Sequence, residues 1–419
     1  RTVSRGLGDV YKRQLWSNAP FRGSSAMAKA ETKRFYLDAC ATAPLRPGVF
    51  DRMAEIQAHA WANPSSLHQD GIAAADALER ARFQIARGFA ASPDELVFTS
   101  SATESVHLAL HGLAGTQATG RLLISAVEHP AVVGAAQQLI AQGWDVQEWP
   151  VDRYGRIRLD LLDELLAPPT HLVSLIWGQS EVGTLQPLLK VAEACRARAI
   201  PLHTDATQVV SQGIPRWCDL PVDLLTASSH KCGGPRGIGL LLVRPEWRAA
   251  MTPQLLGGDQ EGGLRSGTQS AVLAAGMATA MEQIERVDPS AIACSGDGIA
   301  QLRDAIRERL AADHRLEICG DPEERLPNHL SLLVRDDQSL PISARHLVRC
   351  LDHVGLAVSS GSACSSGKDS DSAVLTAMGV PEALRRSGLR ISLGHWIRAE
   401  DLEPILDRFQ AGLDIALNS

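Results

Sequence analysis

The chain has 419 residues, which at roughly 150 residues per domain corresponds to two to three domains. Its 45% apolar and 21% charged residues are those of a globular protein, which excludes collagenous, disulfide-scaffold and largely disordered classes. A net charge of -7 without a long basic block argues against nucleic acid as a partner, and no apolar run approaches the roughly 20 residues of a membrane span.

The first 26 residues carry Arg1, Arg5, Lys12, Arg13 and Arg22 against Asp9 alone, so they hold +4 and leave -11 for the rest. This stretch has no hydrophobic periodicity and is expected to be a non-native or disordered leader, with Met27 as the natural start; a transit peptide is the alternative. From Phe35 onward short apolar runs alternate with helical patterns, the signature of β-α units and a mainly parallel sheet. Helical periodicity covers 71–90, 105–113, 131–142, 159–166 and 188–199. Strands are expected at 95–99, 121–125, 172–177, 200–205, 222–227 and 238–243. A Gly-rich stretch at 257–267 precedes a helix over about 270–286, after which the element order changes. The fold class is therefore α/β with a domain change in that region.

Cysteines stand at 40, 195, 218, 232, 294, 319, 350 and 364 with no C-x-x-C pair, which argues against a zinc ribbon or a thioredoxin-like motif. Sparse, unpaired cysteine in a long chain indicates a reducing cytoplasm. His107 and His111 share a helix face, but without a third ligand nearby they suit packing better than a metal, and no metal site is expected.

Four segments carry chemistry. Ser101 and Glu104 have the spacing of a capping box at a strand-to-helix turn, and the amides of such a helix start also suit an anion. Asp205 ends an apolar strand, where open α/β sheets bind ligands; it either caps the next helix or holds a protonated heteroaromatic nitrogen. Lys231 follows another strand and precedes the glycine-rich Cys232-Gly233-Gly234-Pro235. In a desolvated pocket it can form a Schiff base, and on the surface it is a solvated charge. The loop Ser359-Ser360-Gly361-Ser362-Ala363-Cys364 is either a plain linker or the carrier of a reactive thiol that must move. A Schiff-base lysine, a ring-nitrogen aspartate and a helix-start phosphate site are together the requirements of pyridoxal 5'-phosphate.

With these residues in place, the chain resembles the cysteine desulfurases, a group within the fold-type-I, class V aminotransferase-like enzymes. The resemblance runs from Tyr36-Leu37-Asp38 to about Leu417. It rests on Asn63-Pro64-Ser65-Ser66, Ser101-Ala102-Thr103-Glu104-Ser105, Glu128-His129, Asp205-Ala206-Thr207-Gln208, Ser229-His230-Lys231, Arg265-Ser266-Gly267-Thr268, the cysteine segment and Arg390-Ile391-Ser392-Leu393-Gly394, in that order. The Ser-Ser-Gly-Ser-Ala-Cys form is similar to the subgroup with a long, mobile cysteine loop.

The resemblance implies an organisation. Residues 27–44 would pack with a small domain, 45–287 would form a large cofactor-binding domain on a mainly parallel, seven-stranded type of sheet flanked by helices, and 288–419 would form a smaller α+β domain carrying the cysteine loop. It also implies roles. Lys231 would hold the cofactor and later move the substrate α-proton, Asp205 would pair with the ring nitrogen, His129 would stack on the ring and Gln208 would lie near its phenolic oxygen. Phosphate contacts would come from Ala102, Thr103, Ser228 and His230, with Thr268 reaching across a homodimer interface. Arg390 would clamp the carboxylate of L-cysteine. Cys364 would take the substrate sulfur as a persulfide, leaving L-alanine, and pass it to a sulfur-acceptor or scaffold protein of iron-sulfur or thiolation pathways.

The chain departs from the family pattern at a few positions. Ser180 stands where an Asn normally reaches the cofactor oxygen and the substrate, Gly233 where a Tyr is common and Ala43 where Thr is usual, and Ala39-Cys40-Ala41-Thr42 replaces the common Asn-Asn-Ala-Thr. Two alternatives stay open on these grounds: a selenocysteine lyase or carbon-sulfur lyase of the same fold, and a cofactor-binding assembly subunit without turnover.

Overall fold

The computed structural model describes residues 33–295, 298–361 and 371–418. Seven strands form the central sheet, in the spatial order Leu96–Thr99, Gly239–Val243, Leu224–Ser228, Leu202–Asp205, Thr170–Ile176, Arg121–Ser125 and Asp145–Trp149. Gly239–Val243 runs antiparallel to both neighbours, and the other pairings are parallel. Every residue of Leu224–Ser228 and Gly239–Val243 is buried, as strands must be when helices cover both faces. One face packs Phe89, Trp149 and Trp217; the other packs Leu110, Leu122 and Leu241.

The six expected strands lie within two residues of their positions in the sheet. The seventh, Asp145–Trp149, is an edge strand whose Asp145 and Glu148 are exposed. Charged residues protect such an edge, and for that reason it has no apolar run. Two helical expectations are shortened. The 159–166 pattern yields a single 3₁₀ turn, Leu159–Leu161, and a one-turn helix, Leu162–Leu165, because Pro168 and Pro169 follow and cannot continue it. The 270–286 pattern stops at Met281; Arg286–Val287 pairs instead with Ile214–Pro215 as a short parallel ladder.

A second, antiparallel sheet has the order Leu316–Cys319, His329–Val334, Gly388–Ser392 and Ser359–Ser360. Its core joins Leu347, Leu389, Ile405 and Phe409 with Phe35 and Leu37 from the start of the described chain. Phe35–Tyr36 also pairs with Leu356–Ala357. A smaller cluster, including Val127, Ile176 and Val182 against Leu333 and Leu375, ties the two sheets together. Among the described residues no helix is long and apolar enough to cross a membrane.

Candidate active site

The strands ending at Ser125, Ile176, Asp205 and Ser228 bring their carboxyl ends to one side of the large sheet, the usual ligand side of an open parallel sheet. A cavity of about 500 Å³ opens there. Ala102 and Thr103 line it at a helix start, and His129, Asp205, Gln208, Ser228, His230 and Lys231 line its floor and walls. Arg390 comes to the same cavity from the antiparallel sheet, and Ser180 from the turn after Thr170–Ile176. Thr268 is exposed and does not line the cavity of its own chain. Cys364 lies outside the described residues.

Each of these groups is held by local structure. The helix Ala102–Ala114 starts at Ser101, whose Oγ accepts the Glu104 N–H at 3.2 Å. The reciprocal bond of a capping box goes one residue further back, since Glu104 accepts the Ser100 N–H at 2.7 Å while also pairing with Arg265 at 2.7 Å. Gly239 makes the close approach possible: a Cβ there would lie 2.6 Å from the Ser101 carbonyl carbon. The exposed amides of this helix start thus face the cavity, ready for an anion.

Lys231 ends a 3₁₀ turn, Ser229–Lys231, directly after its strand. Its Nζ donates to the carbonyls of Ala41, at 2.8 Å, and Cys40. Gln208 Nε2 donates to the same Cys40 carbonyl at 3.0 Å. The backbone turn that follows explains Gly233, which has φ +78° and would place a Cβ 2.7 Å from Arg46 Cγ. Only glycine enters that conformation without strain.

Asp205 is buried and its Oδ1 accepts the Thr207 N–H at 2.9 Å. His203, two residues earlier on the strand, is held between Ser174 Oγ at 2.8 Å and Thr226 Oγ1 at 2.9 Å. Burial holds its pKa down at about 4, so it is a neutral core residue. His129 caps the helix Pro130–Ala141, with Nδ1 accepting the Ala131 N–H at 3.1 Å. In the neutral ring the hydrogen therefore sits on Nε2. His230 Nδ1 lies 3.1 Å from Thr42 Oγ1, and burial, with Lys231 and Arg236 adding to it, lowers its pKa to about 4. The ring is therefore neutral where it lines the cavity.

Arg390 is 4% exposed. Its Nη2 donates to Asp38 Oδ1 at 2.8 Å and its Nη1 to the Ser180 carbonyl at 3.0 Å, while Nε has no hydrogen-bond partner among the described residues. Glu128, next to His129, accepts the Ile176 N–H at 2.7 Å, and burial pushes its pKa up to about 8.

Residue types alone did not reveal Cys40, Ala41 or Arg236, which also line the cavity. Cys40 and Ala41 act through backbone carbonyls, which carry no side-chain signature. Cys232 is buried and faces a separate small cavity behind Lys231, and burial pushes its thiol up to about 12. His107 and His111 stack with ring centroids 5.6 Å apart. No group of three potential ligands for a metal ion occurs among the described residues.

The family model for class-V aminotransferases matches residues 35–405. The chain is 34% identical over 379 residues to the cysteine desulfurase IscS of Dictyoglomus turgidum, covering 90% of this chain and 93% of that protein. Among solved structures, a NifS-like protein superposes with a TM-score of 0.81 at 30% identity, covering 91% of this chain and 100% of the other. The structure of SspA in complex with cysteine superposes with a TM-score of 0.74 at 31% identity, over 86% and 99% of the two chains.

Proposed function

The chain belongs to the class-V aminotransferase family, and from that premise we propose that it is a cysteine desulfurase, converting L-cysteine to L-alanine and passing the sulfur through a persulfide on Cys364 to an acceptor protein. One observation carries the reading. A single cavity gathers an anion-ready helix start, a buried strand-end carboxylate, a strand-end lysine and a buried arginine.

This donor set fits pyridoxal 5'-phosphate. Ala102, Thr103, Ser228 and His230 would hold the phosphate, Asp205 the ring nitrogen, Gln208 the phenolic oxygen and His129 the ring face. When bound, the cofactor supplies an electron sink for the carbon that loses its proton. Lys231 would hold the cofactor and would carry the substrate α-proton at its Nζ. Asp205, at the strand end, would pair with the ring nitrogen. Arg390 already spends two donors on Asp38 and Ser180, which fixes the plane in which it meets the substrate carboxylate. His129 presents Nε2–H to the cavity, where it can pass a proton.

Cys364 is the thiol assigned to the sulfur. Burial pushes the thiols of Cys195 and Cys232 up to about 12 and that of Cys319 up to about 11, and a thiol so placed is a poor nucleophile. The seven described cysteines are all free, in keeping with a reducing cytoplasm. Thr268, exposed on its own chain, serves the neighbouring site in a homodimer. Its loop is held by Glu261, whose buried carboxylate takes both arms of Arg82 at 2.8 and 2.9 Å. The acceptor is a protein of iron-sulfur cluster assembly or a thiolation route.

The test is product analysis with L-cysteine, added pyridoxal 5'-phosphate and a thiol reductant. The reading requires alanine and sulfide in equal amounts. Pyruvate and ammonia, or no turnover at all, would overturn it.

A further inference from the structure

Arg390 takes part of its aim from a backbone carbonyl, and that carbonyl has a second donor. A carbonyl oxygen offers two lone pairs. The Ser180 oxygen accepts from Arg390 Nη1 at 3.0 Å and from His329 Nε2 at 3.1 Å. The register of the antiparallel sheet explains why the two donors meet. Ser331 stands opposite Arg390, and His329 opposite Ser392. His329, two residues before Ser331, therefore shares the sheet face of Arg390 and is its diagonal neighbour across the strands.

The imidazole has one tautomer and little freedom. His329 is fully buried. Its Nε2 faces an oxygen that can only accept, so the hydrogen sits on Nε2. Burial, with the charges of Arg325 and Arg390 adding to it, holds the pKa well below the ordinary histidine value, and the ring is neutral. Nδ1 has no hydrogen-bond partner among the described residues; it lies against Gly183, where a Cβ would come within 2.5 Å of it. Arg325, also fully buried, ties the same parts together. Its Nε donates to the His329 carbonyl at 3.2 Å, and its Nη2 to the carbonyls of Cys319 at 3.3 Å and Val182 at 3.4 Å. The Leu326 N–H donates to the Gly183 carbonyl at 2.7 Å. These bonds join the turn that carries Ser180 to the start of the His329 strand as one unit.

His329 does not line the cavity, so its effect on the site must pass through Ser180. We propose that His329 is a positioning residue for the substrate carboxylate: it holds the Ser180 carbonyl where Arg390 Nη1 meets it, and so fixes the plane of the guanidinium. Asp38 fixes Nη2 at 2.8 Å. Were the Ser180 carbonyl free to shift, the guanidinium would keep that one anchor and could turn about it, and a two-point grip on a carboxylate depends on its orientation.

The inference rests on the reading of Arg390 as the carboxylate clamp, and the experiment tells the two apart. L-alanine and ethylamine differ only in the carboxylate. Each is titrated into holoenzyme, and the half-saturating concentration is read from the cofactor absorbance for wild type, His329→Met, His329→Gln and Arg390→Lys, with KM and kcat for L-cysteine measured alongside. Methionine fills the space without a donor, whereas glutamine restores an N–H donor. His329→Met should raise half-saturating L-alanine, and KM for L-cysteine, by about three- to tenfold for one lost hydrogen bond, with ethylamine binding and kcat within about twofold of wild type. His329→Gln should return L-alanine binding and KM to within about twofold of wild type.

Unchanged L-alanine binding in His329→Met would overturn the inference. So would an equal weakening of ethylamine, which a general loss of packing would give, or a glutamine variant no better than methionine. Should His329→Met fail to fold, His329→Asn, whose shorter amide stops short of the Ser180 carbonyl, carries the same test, and wild-type L-alanine binding there would overturn the inference too. The underlying reading fails separately, if Arg390→Lys binds L-alanine as wild type does, and the inference falls with it.

Discussion

The parallel sheet and the antiparallel sheet meet at one cavity but furnish it in different ways. On the parallel sheet the site groups sit at strand ends and helix starts, where the backbone geometry itself aims them: Asp205 and Ser228 close their strands, Lys231 ends the next turn and His129 caps a helix. On the antiparallel sheet Arg390 is a mid-strand residue whose guanidinium is aimed by the Asp38 carboxylate and the Ser180 backbone carbonyl, which lie 352 and 210 residues away in sequence. On the proposed reading, the difference makes cofactor handling and substrate handling separable. Changes on the parallel sheet should remove the cofactor, and changes on the antiparallel side should leave it bound and weaken the use of substrate.

The strongest way to break this comparison is Lys231→Ala. It should abolish covalent cofactor attachment and lower kcat by at least about a thousandfold, since nucleophile and proton carrier go together. Visible absorbance and alanine release check both. A variant that retained turnover would move the chemistry away from the strand end.

Arg390→Lys tests the other side. Lysine keeps the charge but not the fork that binds a carboxylate at two points. A lost charge-assisted bond of about 1.5–3 kcal/mol corresponds to a KM for L-cysteine raised by about 10- to 150-fold. Cofactor absorbance should not change, and loss of the cofactor in this variant would merge the two regions into one.

A smaller effect is expected from Ser180→Asn. The serine lines the cavity, and an amide adds a donor that a hydroxyl cannot extend as far, so KM should fall by about three- to tenfold for one further hydrogen bond. Steady-state kinetics with L-cysteine decide this, and an unchanged KM would mean that only the Ser180 carbonyl matters.

Glu128 sharpens the comparison through stability rather than rate. Its pKa rises from 4.5 to about 8 on folding, so between those values the folded state binds the proton more tightly than the unfolded chain. Folding stability must therefore decline as pH rises through that window, by at most about 1.4 kcal/mol per pH unit from this group. Glu128→Gln should flatten the slope of denaturant-derived stability between pH 5 and 8. An identical slope in both proteins would contradict the buried, protonated carboxyl.

The same contrast explains what could be read from the sequence. Strand ends announce themselves, because an apolar run stops at a polar residue; Asp205, Lys231 and the Ser101 helix start were legible for that reason, and the cavity joins all three. The edge strand Asp145–Trp149 was not, since its exposed face is charged. Nor were the Cys40 and Ala41 carbonyls that hold Lys231, because any residue type supplies a carbonyl. The Asp38 pairing with Arg390 depends on how distant parts of the chain come together, which no local pattern encodes.

The division between a cofactor side and a sulfur side is tested most directly by peptide mapping of one sample. Holoenzyme is mixed with L-cysteine, treated with borohydride to fix the cofactor to its lysine, alkylated to trap any persulfide, digested and read by mass spectrometry. The account predicts the pyridoxyl group on Lys231 and the extra sulfur on Cys364. A pyridoxyl group on another lysine, or sulfur on Cys232 with none on Cys364, would contradict it.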